Sequence, residues 1–201
     1  MVVIIDYGVG NLSSVQSAFK RIGLDTIISR DITVIKKAKA IVLPGVGTFY
    51  IAMKHLKEYG LIDVLNDCKK LEIPILGICL GMQVLFEEGF EVEQTKGLGF
   101  LKGSVKKIVT DQKIPHMGWN QLHIINHHPI TKYIKQGQNV YFVHSYMAST
   151  NQEQLISFSD YGSCNISAIV ASKNVVGCQF HPEKSGIVGM NILRGFKEMI
   201  K

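Results

Sequence analysis

Leu71-Glu-Ile-Pro-Ile-Leu-Gly-Ile-Cys79-Leu-Gly-Met-Gln83 is the stretch on which the reading of this chain turns. After Pro74, Ile75, Leu76 and Ile78 make a short apolar run that stops at Cys79. Leu80, Met82, Gln83, Leu85 and Phe86 then take up a helical spacing. Gly77 and Gly81 flank the cysteine at minus two and plus two, the Gly-x-nucleophile-x-Gly pattern of a nucleophile elbow. A strand that turns this sharply into a helix brings backbone segments close together, and residues without a Cβ permit it. A sulfur at the start of that helix faces unpaired N–H groups and the positive end of the dipole, which favours thiolate. The competing reading is a buried structural cysteine at the end of a core strand.

The strands before the elbow decide the fold. Residues 2–5 and 40–43 are continuous apolar runs of the kind buried on both faces of a parallel sheet. Helical patterns separate them: Leu12, Val15, Ala18, Phe19 and Ile22, stopped by Gly23; a short polar helix around 35–39; then 49–56 and 61–68. Residues 26–29 supply a further strand. The order is strand, helix, four times over, which predicts an α/β fold with a doubly wound, mostly parallel central sheet and helices on both faces. In such folds function sits at the carboxyl ends of the strands. Three loops fall there, at 6–11, 44–47 and 77–81, and should share one crevice rim. Pro44-Gly-Val-Gly47 has no side chain suited to chemistry, but its backbone N–H groups can approach a ligand as an oxyanion hole requires. Asp6-Tyr-Gly-Val-Gly-Asn11 invites a dinucleotide or flavin reading, but the third glycine of that fingerprint is replaced by Ser13. A plain turn with Asn11 or Ser13 capping the next helix is the better reading, so no cofactor is expected.

After Glu87 the texture changes. Glycines at 89, 97, 99 and 103 punctuate short segments, and 105–109, 121–125, 140–143 and 155–158 read as short strands. They predict a smaller antiparallel or mixed extension of the sheet. The chain closes with strands at 168–171 and 175–180 and a helix over 186–200. Residues 1–201 are read as a single domain, a length ample for one full core.

Composition narrows the class. With 46% hydrophobic and 19% charged residues the chain is an ordinary globular one. The opening residues lack a basic n-region, and no apolar stretch is long enough to span a membrane, so a cytoplasmic protein is expected. Four well-separated cysteines (68, 79, 164 and 178) suggest neither a disulfide framework nor a zinc site. His123, His127 and His128 cluster, but no carboxylate or thiolate lies near them in sequence, so no metal is expected. Net charge is +6, yet the lysines are scattered without interleaved aromatics, which argues against nucleic acid.

A cysteine nucleophile needs a base and a group to orient it. His181 ends an apolar strand and is followed by Pro182 and Glu183. Proline keeps the preceding residue extended, and residues two apart in an extended segment share a side. His181 and Glu183 should therefore lie together. His144, in Val-Tyr-Phe-Val-His-Ser-Tyr, is the alternative base.

Gly-Ile-Cys79-Leu-Gly-Met-Gln83 together with His181-Pro-Glu183 resembles the class I, or triad, glutamine amidotransferases. Further stretches narrow the likeness: Ile5-Asp-Tyr-Gly-Val-Gly-Asn11, Leu43-Pro-Gly-Val-Gly47, Pro115-His-Met-Gly-Trp-Asn120, Tyr141-Phe-Val-His-Ser-Tyr146 and Gln179-Phe-His-Pro-Glu-Lys-Ser185. They resemble the members of that family that serve a (β/α)₈-barrel cyclase in histidine biosynthesis. The resemblance implies a Cys79–His181–Glu183 triad that hydrolyses glutamine through a thioester. It implies that Gly47, Gln83, Ser145 and Tyr146 hold glutamine, and that the backbone N–H groups of Val46 and Leu80 form the oxyanion hole, with Val46 reorienting for activity. Asn11 and Trp119 match positions at the contact with the cyclase subunit. A paralogue feeding ammonia into another amination pathway would carry the same chemistry. The segments at 91–96 and 127–138 match no motif.

Overall fold

The computed structural model describes residues 1–200. In chain order the elements are β1 (Val2–Ile5), α1 (Leu12–Arg21), β2 (Thr26–Ser29), α2 (Ile32–Ile35), β3 (Ala40–Leu43), α3 (Phe49–Glu58), α4 (Leu61–Lys70) and β4 (Ile75–Ile78). Then come α5 (Leu80–Gln83), β5 (Glu88–Phe90), β6 (Gln94–Lys96), β7 (Ser104–Lys107), β8 (His116–Gln121), β9 (His123–Ile124) and β10 (Asn139–His144). The chain ends with β11 (Tyr146–Ser149), β12 (Leu155–Tyr161), β13 (Cys164–Ser172), β14 (Val175–Cys178) and α6 (Gly186–Lys197).

The main sheet has eight strands in the order β2-β1-β3-β4-β14-β13-β12-β9. From β2 to β14 every pairing is parallel; β13, β12 and β9 continue it antiparallel. Why the early strands are apolar throughout is visible in β1. Val2 and Ile4 point into one core with α1 and α6, while Val3 and Ile5 point into the other with α3 and α4. A strand covered on both faces has no polar side to show. The doubly wound sheet expected from the sequence is thus the one formed.

The extension is more divided than expected. Besides the antiparallel edge, β11-β7-β5-β6 form a separate four-stranded sheet and β10-β8 a two-stranded ribbon. The strand expected over 121–125 is broken at Leu122, because β8 ends on β10 while β9 joins β12. The short helix expected around 35–39 lies earlier, at Ile32–Ile35, because the Asp31 side chain caps it by accepting from the Thr33 N–H at 2.7 Å. The helix after Cys79 is a single turn, not the run to Phe86 that the spacing suggested. Among the described residues no helix is long and apolar enough to cross a membrane.

Candidate active site

Cys79 sits between the end of β4 and the start of α5 with φ +54° and ψ −112°. A non-glycine residue in that region costs about 1–3 kcal/mol and persists only where its surroundings impose it. Here they do. The Cys79 N–H donates to the Cys178 carbonyl at 2.7 Å, continuing the β4–β14 ladder past its last pair. On the other side a Cβ on Gly81 would lie 1.7 Å from the Leu43 carbonyl oxygen, so the helix start is pressed against the end of β3. That carbonyl opens the 44–47 loop, which is fixed further by the Tyr7 hydroxyl donating to the Pro44 carbonyl at 2.5 Å. The loops at 6–11, 44–47 and 77–81 therefore do share one rim.

Beside Cys79 opens a cleft of about 310 Å³. Val46, Gly47, Leu80, Gln83, Ser145 and Tyr146, all expected at the substrate or oxyanion positions, line it with the cysteine. Glu91, Pro115 and His144 line it too. Gln83 is buried and its amide N–H donates to the Tyr146 carbonyl at 2.9 Å and to Gln179 Oε1 at 3.0 Å. Gln179, fully buried, turns its own Nε2 toward Cys79 Sγ at 3.9 Å.

His181 and Glu183 meet as expected, with Nδ1 and Oε1 2.8 Å apart and both side chains only 3% exposed. The route differs from the sequence argument. His181 is extended, but Pro182–Lys184 is a 3₁₀ turn, so the carboxylate is folded back under the ring. The ring is held from behind as well: Ser185 Oγ donates to the His181 carbonyl at 2.7 Å and accepts from the Tyr141 N–H at 2.9 Å. Burial alone would lower the His181 pKa; the neighbouring Cys79 thiol and the Glu183 carboxylate outweigh it and raise the pKa to about 9. Nε2, which faces no protein partner at hydrogen-bonding geometry, is the nitrogen left for proton transfer.

His144 is excluded as the base by its bonding. Its Nδ1 meets the Tyr146 carbonyl at 2.8 Å and its Nε2 meets His116 at 3.0 Å, leaving neither nitrogen for a substrate. The other thiols are also set apart: burial pushes up the pKa of Cys68, Cys164 and Cys178. His123 pairs with Asp160 at 2.9 Å, a carboxylate supplied from β12 rather than from nearby sequence. Trp119 is 55% exposed and packs edge-on against Tyr141, so it is not a core residue. Asn11 caps α1 by accepting from the Ser14 N–H at 3.3 Å.

Three residues of the site were not anticipated. Gln179 precedes His181 by two in the strand expected over 175–180, a spacing that alternation offered, although the strand itself ends at Cys178. Ser185 and Glu91 gave none, because one acts through the backbone and the other lies in a segment without a motif.

Comparison with known proteins agrees with this geometry. The model of the class I glutamine amidotransferase family matches residues 3–198. The chain is 55% identical over 199 residues to the imidazole glycerol phosphate synthase subunit HisH of Lactococcus lactis, covering 99% of this chain and 98% of that one. It is 46% identical over 202 residues to the subunit of the same name from Caldanaerobacter subterraneus, covering 100% and 99%. Among solved structures, a crystal structure of a glutamine amidotransferase superposes with a TM-score of 0.78 at 19% identity, covering 100% and 99% of the two chains. PurLQS from Thermotoga maritima superposes with a TM-score of 0.75 at 18% identity, covering 100% and 98%. The last two speak for the fold alone. An elbow cysteine beside a buried histidine–carboxylate pair, on a sheet matched from end to end, leaves one assignment: this chain belongs to the class I glutamine amidotransferase family.

Proposed function

We propose that the chain is the glutaminase subunit of an imidazole glycerol phosphate synthase, with Cys79, His181 and Glu183 as its triad and residues 1–201 acting as one catalytic domain. The observation that carries the reading is that Cys79, on the wall of a cleft lined also by Gly47, Gln83, Ser145 and Tyr146, neighbours the buried His181–Glu183 pair. Full-length identity to HisH subunits supports the assignment to histidine biosynthesis.

The Cys79 thiolate attacks the side-chain amide carbon of glutamine. The oxyanion is received by the backbone N–H groups of Val46 and Leu80, each donor being worth roughly 3 kcal/mol of barrier. Imidazolium Nε2 of His181 passes its proton to the departing nitrogen, which leaves as ammonia, and a glutamyl thioester remains. The now neutral ring takes a proton from water, hydroxide attacks the thioester, and glutamate departs with the thiolate restored. Glu183 holds Nδ1–H and stabilises the imidazolium. Gln83 and Gln179 form an amide relay between the Tyr146 peptide and the sulfur, orienting both. Glu91 is the one carboxylate lining the cleft, and it suits the α-ammonium of the substrate.

The consumer of the ammonia is a (β/α)₈-barrel cyclase subunit that makes imidazole glycerol phosphate and aminoimidazole carboxamide ribotide. Exposed Trp119, with Met117 60% exposed on the same ribbon, supplies an apolar anchor for that contact, and Asn11 is the second position that the resemblance assigns to it. Aromatic anchors of this kind dominate interfaces. A glutamine-analogue electrophile tests the chemistry: it should modify Cys79 and spare Cys68, Cys164 and Cys178. Modification elsewhere, or full glutamine hydrolysis by Cys79→Ala, overturns the triad. Complementation of a histidine auxotroph together with the cyclase tests the pathway, and failure despite expression assigns the chain to another amination.

A further inference from the structure

His116 on β8 and His144 on β10 face one another across the two-stranded ribbon, and both are buried. Their four ring nitrogens take part in three contacts. His144 Nδ1 lies 2.8 Å from the Tyr146 carbonyl oxygen. His144 Nε2 lies 3.0 Å from His116 Nδ1. His116 Nε2 lies 2.9 Å from Asn120 Oδ1. The orientation of Asn120 is fixed independently, because its Nδ2 donates to the Asp160 carbonyl at 3.1 Å. The rings cannot be turned over without setting carbon against these acceptors.

Counting protons gives a result the two rings cannot meet as neutral groups. A peptide carbonyl and an amide oxygen only accept, so each end of the chain requires an N–H. The link between the rings requires a third. Two neutral imidazoles carry two. We propose that the His116–His144 pair holds one extra proton, shared as a single cation, and that this proton clamps the Tyr146 peptide at the wall of the glutamine cleft.

The surroundings admit one charge at most. The His116 ring is stacked between the faces of Tyr161 and Phe142, with centroids 3.9 and 4.7 Å away, and aromatic faces attract a cation. Burial lowers the pKa of each ring taken alone, and for His144 the charges of His116 and His181 oppose it further. These shifts oppose the first proton as well as a second, so the shared charge is held on the acid side of the ordinary histidine range. Of the other charged groups nearby, the Asp160 carboxylate is turned away onto His123. Glu91 and Cys79 share the cleft wall with His144, and the Tyr161 hydroxyl is engaged by the Lys113 carbonyl.

The consequence reaches the substrate through one atom. The Tyr146 carbonyl accepts from both His144 Nδ1 and Gln83 Nε2, so it ties the segment of Ser145 and Tyr146, where β10 passes into β11, to the elbow helix. His116 and His144 are in this sense positioning residues. The kinetic part rests on the glutaminase reading; the proton count does not.

The test is side-chain ¹⁵N NMR on the full chain labelled at histidine, followed from about pH 4 to pH 9 because burial lowers the pKa of both rings. Three protonated ring nitrogens out of four at the acidic end, falling to two in one step as pH rises, is the expected result. Two throughout overturns the proposal. Asn120→Leu removes one terminal acceptor, and the count should then be two at every pH; an unchanged three overturns the count. Glutamine KM, measured with the cyclase subunit present, should rise about tenfold across the same step, the scale of one charge-assisted hydrogen bond, with kcat nearly constant. A KM that stays flat through the step overturns the positioning role. A chain with no glutaminase activity still yields the NMR count, so failure of the functional reading is told apart from failure of this one.

Discussion

Glu183→Gln is the sharpest probe of the triad. The substitution keeps the shape of the side chain and an oxygen for His181 Nδ1–H, and removes only the charge. In the folded chain the His181 pKa is raised from 6.5 to about 9, against a burial effect that acts downward. That rise corresponds to roughly 3 kcal/mol of net preference for imidazolium. It is shared between the Cys79 sulfur and the Glu183 carboxylate, so losing the carboxylate should forfeit about half, and kcat/KM should fall about tenfold to a hundredfold. The loss should be smaller than in His181→Ala, which removes the proton carrier itself. The direction with pH follows from the sign of the shift. A raised histidine pKa stabilises the fold fully below 6.5 and loses that contribution as pH climbs through about 9. In the variant the alkaline limb of the glutaminase profile should move to lower pH, and melting temperature should change less across the same window. Steady-state glutamine hydrolysis with the cyclase subunit, and thermal denaturation over a pH series, read both. Superimposable rate profiles and melting curves for variant and parent would refute the role given to Glu183.

Gly81→Ala should drive a methyl into the Leu43 carbonyl, 1.7 Å from the Cβ position, and so push the 44–47 loop off the elbow. We expect a stability loss of about 1–3 kcal/mol or more, seen by calorimetry, and glutaminase activity lost beyond that; an unaltered melting temperature and rate would contradict the packing. Glu91→Gln should raise glutamine KM about tenfold with little change in kcat if the carboxylate meets the substrate ammonium. An unchanged KM would remove it from the site. Trp119→Ala should leave the melting temperature of the free chain nearly unchanged, because the ring is 55% exposed. It should weaken cyclase binding about thirtyfold, the scale of a 2 kcal/mol anchor. A titration giving equal affinities, or a large drop in stability, would place the tryptophan elsewhere.

What could be read from sequence alone follows from which side of the physics is local. The parallel strands β1, β3 and β4 declare themselves because burial on two faces leaves no room for polar residues. The elbow does so because its glycines sit at fixed offsets from Cys79. His181 could be chosen over six other histidines because its carboxylate partner is two residues away. Contacts made across the sheet are invisible until the strands are ordered. Gln179 reaches both Gln83 and Cys79, about a hundred residues earlier, only because β14 lies beside β4. β8 shows in the sequence as a motif rather than as a strand, since Pro115 and Gly118 weaken its pattern; its pairing to β10 supplies what its composition does not. The helix lengths failed for a related reason. Apolar spacing past Gln83 reflects a buried turn packed in the core, where every residue from Leu80 to Phe86 is buried whatever its conformation.

That last difference changes the account of the thiol. A favourable helix dipole was expected at Cys79, but α5 has only four residues, and few aligned peptides stand behind its first N–H groups. The electrostatic feature of the site is the imidazolium of His181, whose pKa is raised against burial by the neighbouring sulfur and the Glu183 carboxylate. The elbow contributes position instead. Its φ of +54° is imposed by the ladder bond to Cys178 on one side and by the Gly81–Leu43 contact on the other, anchored on the fully buried strands β14 and β3. Strain held by a rigid core is released by small displacements, so this site should lose its geometry well before the domain loses its fold. Activity is therefore the more sensitive gauge of elbow packing, and stability the less sensitive one.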